Sequence, residues 1–484
     1  MSRVFVNPLT ELAEYEELNR DLNRGKGPVQ ISGCMDSQKV HLMWEAGETL
    51  PWKLVVTYDD SRAKEIYEDF RCFTDAVWLY PAKDLLFYNA DIHGNLITRE
   101  RMQVLRHLIE EKSGVVVTTI DGLMDHLLPL SMVESQILPV SQGEVIDIEE
   151  WRKRLVSLGY ERMAQVDGMG QFSIRGGIVD IFPLTEELPV RIELWGDEVD
   201  SIRSFDPESQ RSVEQLEEVV LYPATEIVLT PEQVEMGLER ITKSEKSYEK
   251  TLREQFQTEE AHRIRSIIEE FKENLKDGMA TGSLDSYLTY FCQDTVSFAE
   301  YFPAEETAVF LDEPIRLKER GEAVETEFRE SMMNRLEKGY LLPEQTSLLY
   351  SIRETLAELE TPHTVCVTGL EQKLPGQEIK NRYSIQTRNI NSYQNSFEML
   401  IGDLKRWKKE KYRVVLLSGS RTRASRLAGD LREYELSAFC TDDPERSVQP
   451  GEILVTYGVL HRGFEYPQIK FVVITEGDMF GGSK

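Results

Sequence analysis

From the start of the chain to about residue 130, short β-branched runs alternate with stretches of helical periodicity. Val29–Ile31, Lys53–Thr57 and Gly114–Thr119 read as strands, with Asp60–Phe70 and Thr98–Lys112 as helices between them. Strands alternating with helices predict βαβ units, and therefore a parallel sheet. Beyond residue 134 the texture changes. Residues 170–206 alternate apolar and polar positions and are broken by Gly176-Gly177, Pro183 and Gly196-Asp197, a pattern of antiparallel hairpins. Thr230-Pro231-Glu232-Gln233 then reads as a helix start: Thr as N-cap, Pro at the first helical position, and Gln placed to reach back to the cap. One long, charge-rich helical stretch is expected from there to about Asp277. Thr307–Leu311 has a strand pattern ending in Asp312-Glu313, and α/β texture returns at Lys411–Leu417, Glu452–Thr456 and Lys470–Thr475.

This order predicts an α/β protein in four segments. Residues 1–133 and 224–375 are expected to form two parts of one parallel-sheet domain. Residues 134–223 form a mainly antiparallel α+β module inserted into it, and 376–484 a second, small α/β domain.

Length agrees with that division, since 484 residues suit roughly three cores at ~100–200 residues per domain. Against 85 Asp+Glu the chain has 56 Lys+Arg, a net charge of −29. That argues against a general nucleic-acid-binding surface, because neutralising phosphates needs clustered Lys and Arg. No run of about 18 apolar residues occurs, and the first residues lack a basic, apolar leader pattern, so a cytoplasmic protein without membrane contact is expected. The five cysteines make no CxxC pair and the seven histidines are scattered, so neither a metal centre nor a disulfide framework is expected.

Candidate chemistry begins at Gly33-Cys34-Met35-Asp36-Ser37-Gln38-Lys39-Val40, which follows a strand and precedes a helix, the position of a phosphate-binding loop GxxxxGK[ST]. Gly33 and Lys39 fit. Gln38 replaces the glycine that lets backbone N–H groups turn onto phosphates, and Val40 replaces the hydroxyl that would hold Mg²⁺. Downstream, Asp312-Glu313 at a strand end has the form of the acidic element of the same site. Each alone also fits an ordinary turn or solvated loop; together they suggest an ATPase fold without ATPase chemistry.

GQFSIRGGIVDIFP at 170–183, RIELWGDEVDSIRSFDPESQRS at 191–212 and YFPAEETAVFLDE at 301–313 resemble the UvrB-like part of the bacterial transcription-repair coupling factors, the Mfd family. That family is similar to UvrB, the damage-verifying helicase of nucleotide excision repair. The resemblance implies a degenerate RecA- or helicase-like domain with no catalysis or cofactor in this segment. UvrB's DExH box is altered here to Asp312-Glu313-Pro314-Ile315. Its Tyr-rich DNA-clamping hairpin corresponds to Leu85–Gly94, which is short and has one tyrosine, leaving little to stack on unpaired bases. In the full-length family, further domains bind RNA polymerase, drive an ATP- and Mg²⁺-dependent translocase along double-stranded DNA, and mask the UvrA-binding face with a C-terminal domain. Val473–Gly481 resembles the family's exit from its third domain, so a chain cut short before those parts is expected. The alternative, a divergent UvrB-like ATP-dependent helicase, is opposed by Gln38, Val40, Pro314 and the short hairpin.

What the resemblance leaves for this segment is recruitment of UvrA through the inserted module. Strand alternation gives the face: Val190, Ile192 and Leu194 on one side, Arg191, Glu193 and Trp195 on the other. In the partner strand Phe172 and Ile174 oppose Ser173 and Arg175. With the apolar set inward, Arg175, Arg191 and Trp195 point out, and two arginines beside a tryptophan have the composition of an interface hot spot. The resemblance assigns UvrA contact to these same three residues, with Trp195 standing where the familiar motif has phenylalanine. The alternative is a solvated hairpin face with Arg–Glu pairs. Two basic stretches, Lys405–Arg413 and Arg421–Arg426, carry either a nucleic-acid reading or the plainer one of cations that cap a helix C-terminus and coat a solvated face.

Overall fold

The structure is a computed structural model that describes residues 8–84, 94–278, 284–373, 376–443 and 446–481. Leu85–His93, most of the stretch compared with the UvrB hairpin, lies outside the described residues.

Seven parallel strands form the first sheet, in the spatial order Asn381–Ser384, Val29–Ser32, Thr364–Val367, Thr307–Asp312, Trp52–Thr57, Gly114–Thr119 and Val77–Tyr80. The β-branched runs are its central strands, buried on both faces as a parallel sheet requires. Alternate residues feed two cores. Val55, Val115, Phe310 and Val365 enter one with the helices Ala13–Asn23, Asp36–Glu45 and Asp60–Phe70. Leu54, Val116, Leu311 and Cys366 enter the other with Gly94–Glu110, Pro314–Glu337 and Ile352–Leu359. The edge strand Asn381–Ser384 belongs to this sheet, although it falls beyond residue 375, where the third domain was expected to begin.

The inserted module is closed by antiparallel pairing of Leu138–Ser141 with Glu218–Leu221. Between them lies a six-stranded sheet in the order Ser212–Leu216, Glu198–Phe205, Val190–Trp195, Ile178–Ile181, Gln171–Arg175 and Glu161–Arg162, antiparallel except at the last pair. Its apolar face packs with Trp151 and Leu155 of the helix Ile148–Ser157.

The charge-rich stretch after Thr230 is two helices, not one. Pro231–Glu254 and Thr258–Lys276 pack together through Ile241, Leu252, Ile264 and Ile268. The chain reverses at Phe256, which takes a left-handed φ of +61°. The helix start is built as the spacing predicts: Gln233 donates its N–H to Thr230 Oγ1 at 3.2 Å, and its side chain accepts the Thr230 N–H at 3.0 Å. Thr230→Ala should therefore cost ~1 kcal/mol, read as a lower urea midpoint.

The third domain has six strands, ordered Arg388–Asn389, Phe464–Tyr466, Phe471–Ile474, Arg413–Ser418, Glu452–Tyr457 and Ser437–Phe439. One face is covered by the helices Phe397–Lys409 and Arg421–Arg432. From the other face Val415, Leu417, Tyr466 and Val473 join the first core of the parallel-sheet domain, so the two domains share an apolar interior. No described helix is long and apolar enough to cross a membrane.

Candidate functional site

The chain leaves Val29–Ser32 at Gly33, whose φ is +85°. A Cβ there would lie 1.9 Å from the Ile385 carbonyl oxygen, so a neighbouring backbone demands the glycine. Gly33 and Cys34 donate their N–H groups to the carbonyls of Gly369 and Thr368, both at 3.0 Å. The helix begins at Asp36, leaving no room for a wide loop. Gln38 sits in its first turn, where Oε1 accepts the Met35 N–H at 3.0 Å and Nε2 donates to the Tyr466 hydroxyl at 3.2 Å. A glutamine thus caps the helix from within, in place of a glycine that would free N–H groups for phosphate. Val40 is buried in the core.

Lys39 reaches across the sheet and donates to Asp312 Oδ1 at 2.8 Å and Glu313 Oε1 at 2.9 Å. Asp312 Oδ2 accepts from Thr57 Oγ1 at 2.8 Å and from Arg62 Nε at 3.3 Å. Glu313 accepts the Gly369 N–H at 2.7 Å and the Gln372 side-chain amide at 2.7 Å. Burial alone would push the Asp312 carboxyl up; Lys39 and Arg62 outweigh it and hold it below the usual carboxylate range. Burial likewise opposes the Lys39 ammonium, and the two carboxylates hold it above its ordinary value. Two cations and two carboxylates close on one another: Lys39, Asp312 and Glu313 come together with Arg62, and Gly33 touches them through Gly369, whereas Gln38 turns to Met35 and Tyr466 and Val40 to the core. Thr57 and Arg62 were not legible as members, since neither belongs to a motif. The Lys39 ammonium is paired with two carboxylates, Gly33, Cys34 and Met35 donate their N–H groups within the chain, and Val40 carries no hydroxyl.

On the module, register places Ser173, Asp180, Arg191 and Arg203 side by side in one row of the outer face. Asp180 has a side chain only 1% exposed and lies under two arginines. Arg191 pairs with it in bidentate fashion, Nε to Oδ1 at 2.8 Å and Nη2 to Oδ2 at 3.0 Å, while Arg175 Nη2 reaches Oδ2 at 3.2 Å. Arg191 also donates to the Gln210 side chain at 3.1 Å and stacks over Phe205 at 4.4 Å. Its side chain is therefore only 15% exposed, less free than strand alternation predicts, because the next strand and its following loop fold over it. Arg175 is half-exposed and Trp195 is 81% exposed. Next to them Arg203 pairs with Glu193. Alternation identified the face; Asp180, the residue that organises it, was missed. The signal was present, since a hairpin at Gly176-Gly177 followed by the next strand brings Asp180 opposite Arg191.

The basic stretches divide. Arg406, Lys408 and Lys409 occupy the last turn of Phe397–Lys409, where cations suit the helix dipole. Trp407 and Tyr412, the aromatics interleaved with them, are buried in the third-domain core and present no stacking platform. Arg421 and Arg423 instead open the helix Arg421–Arg432, at the end where the dipole opposes them; Glu476 offsets this by accepting from Arg423 Nη1 at 2.7 Å and from the Gly419 N–H at 2.9 Å. For this second stretch the helix C-terminal placement is corrected, while Arg421, Arg423 and Arg426 do lie on an exposed face.

Residues 138–227 match the family described as the UvrB interaction domain. Across 98% of its length the chain is 30% identical to the transcription-repair-coupling factor of Bacillus subtilis and 28% identical to that of Staphylococcus aureus strain Mu50. It spans 40% of the length of each of these relatives. With a seven-stranded parallel sheet, a match to the UvrB interaction domain set into it and similarity over nearly all its residues, the chain is similar to the transcription-repair-coupling factors over 40% of their length.

Proposed function

We propose that this chain recruits UvrA through the outer face of the inserted module and performs no nucleotide chemistry of its own. The observation that carries the reading is Trp195, a large aromatic left exposed on the strand that carries Arg191 and, by alternation, on the same face, inside the matched interaction domain. A rigid aromatic next to arginines that can be shared with a partner's carboxylates is the composition of a binding hot spot. The self-contained Lys39–Asp312–Glu313 cluster supports the second half, since it gives these remnants of a nucleotide site a structural use.

Within a longer protein of the family, this recruitment belongs to a cytoplasmic DNA-repair pathway in which a separate ATP-driven motor acts on double-stranded DNA and stalled RNA polymerase. A C-terminal domain, where present, would mask the same face. Titrating UvrA against this chain tests the proposal: micromolar or tighter binding is expected, and no binding at tens of micromolar would refute it.

A further inference from the structure

The third domain docks on the helix Asp36–Glu45, and besides the Tyr466 hydroxyl its loop Gly458–Gly463 makes polar contacts in that joint. The buried Asp69, at the end of the helix Asp60–Phe70, is the hub. Its Oδ2 accepts from Ser37 Oγ at 2.7 Å, and its Oδ1 accepts the His461 backbone N–H at 2.8 Å. Ser37 in turn accepts the Arg462 N–H at 3.0 Å.

Both ring nitrogens of His461 face carboxylates: Nδ1 lies 2.9 Å from Asp69 Oδ1 and Nε2 lies 3.1 Å from Glu68 Oε2. A neutral imidazole carries one N–H, so in that form one nitrogen lone pair would confront a carboxylate oxygen. The Asp69 contact is a hydrogen bond and the Glu68 contact an ion-pair approach, so the neutral ring can keep the first while only the imidazolium is attracted to both carboxylates. We propose that His461 is a pH-sensitive latch, holding the third domain against the parallel-sheet domain when protonated and loosening that joint when it loses its proton.

The surroundings favour the charged form. Helix Asp60–Phe70 presents Glu65, Glu68 and Asp69; helix Asp36–Glu45 presents Asp36, which lies 4.0 Å from the one nearby cation of the loop, Arg462, and draws it aside. The hydrogen bond to Asp69, opposed by partial burial and aided by the charges of Asp69, Glu68 and Glu65, holds the imidazole above its ordinary value. The sign follows. With the folded value raised, the stabilisation is complete below about pH 6.5 and is lost as pH rises through the raised value.

The test uses the whole chain. Amide exchange across residues 458–466, compared between wild type and His461→Gln at each pH, should show greater protection of the wild type at about pH 6, an advantage that is lost as pH rises. A ratio that does not change with pH would overturn the proposal. Imidazole resonances give an arm that does not depend on that variant folding: His461 should titrate above about 6.5, and Glu68→Gln should lower its midpoint. A midpoint at or below 6.5, or one unmoved by Glu68→Gln, would equally overturn it.

Discussion

Replacing Lys39 by alanine is expected to destabilise the protein by about 3–5 kcal/mol, the cost of leaving buried carboxylates without their cation. In a working nucleotide site the same lysine serves a ligand, and its loss is felt mainly in binding. Here Asp312 is fully buried and keeps only Thr57 and Arg62, while Glu313 keeps only neutral donors. The urea midpoint measures the loss, and a Lys39→Met, Asp312→Asn double variant should recover part of it because less unpaired charge stays buried. Acid gives the same information independently. Asp312 has a lowered carboxyl value, so its contribution is present above about pH 4 and disappears as pH falls through the folded value. A Lys39→Ala protein as stable as wild type would mean that the cluster holds nothing together.

The second large effect is on binding. Trp195→Ala should weaken UvrA binding by ~2–4 kcal/mol, roughly 30- to 700-fold, with no change in melting temperature, because an indole this exposed contributes little to the fold. Arg175→Ala should also lose affinity, at a smaller cost to the fold than Arg191→Ala, since Arg175 is half-exposed and makes a single contact with Asp180 that Arg191 still covers. Arg191→Ala differs: it removes the bidentate partner of a buried aspartate, so melting temperature and affinity should fall together. The contrast separates a contact residue from one that positions the face, and calorimetry beside a thermal melt reads both. If Trp195→Ala bound UvrA as wild type does, the assignment of this face would be lost.

Much of the architecture was readable because the forces behind it are local. Gly114–Thr119 is a strand by its β-branched run, Thr230 caps a helix through a residue three positions away, and Gly176-Gly177 turns a hairpin. The departures from a phosphate-loop pattern at Gln38 and Val40 were visible too. What replaced it was not, because Lys39 meets Asp312 across 273 positions and Gln38 meets Tyr466 across 428, and no periodicity carries that information. The same holds for the Asp69–His461 joint. The break at Phe256 was hidden for another reason: the helical pattern continues through it, and only the packing of Pro231–Glu254 on Thr258–Lys276 compensates a left-handed phenylalanine. Arg191 shows the limit of face arguments, since alternation says which side a residue takes but not that Asp180, Gln210 and Phe205 will enclose it there.

Competition with UvrB for UvrA tests the central claim most directly, because the proposed function requires this module to use the face that UvrB uses. With labelled UvrB bound to UvrA, rising wild-type chain should displace the label, and the Trp195→Ala chain should not. UvrB that stays fully bound at saturating wild-type chain would contradict the account.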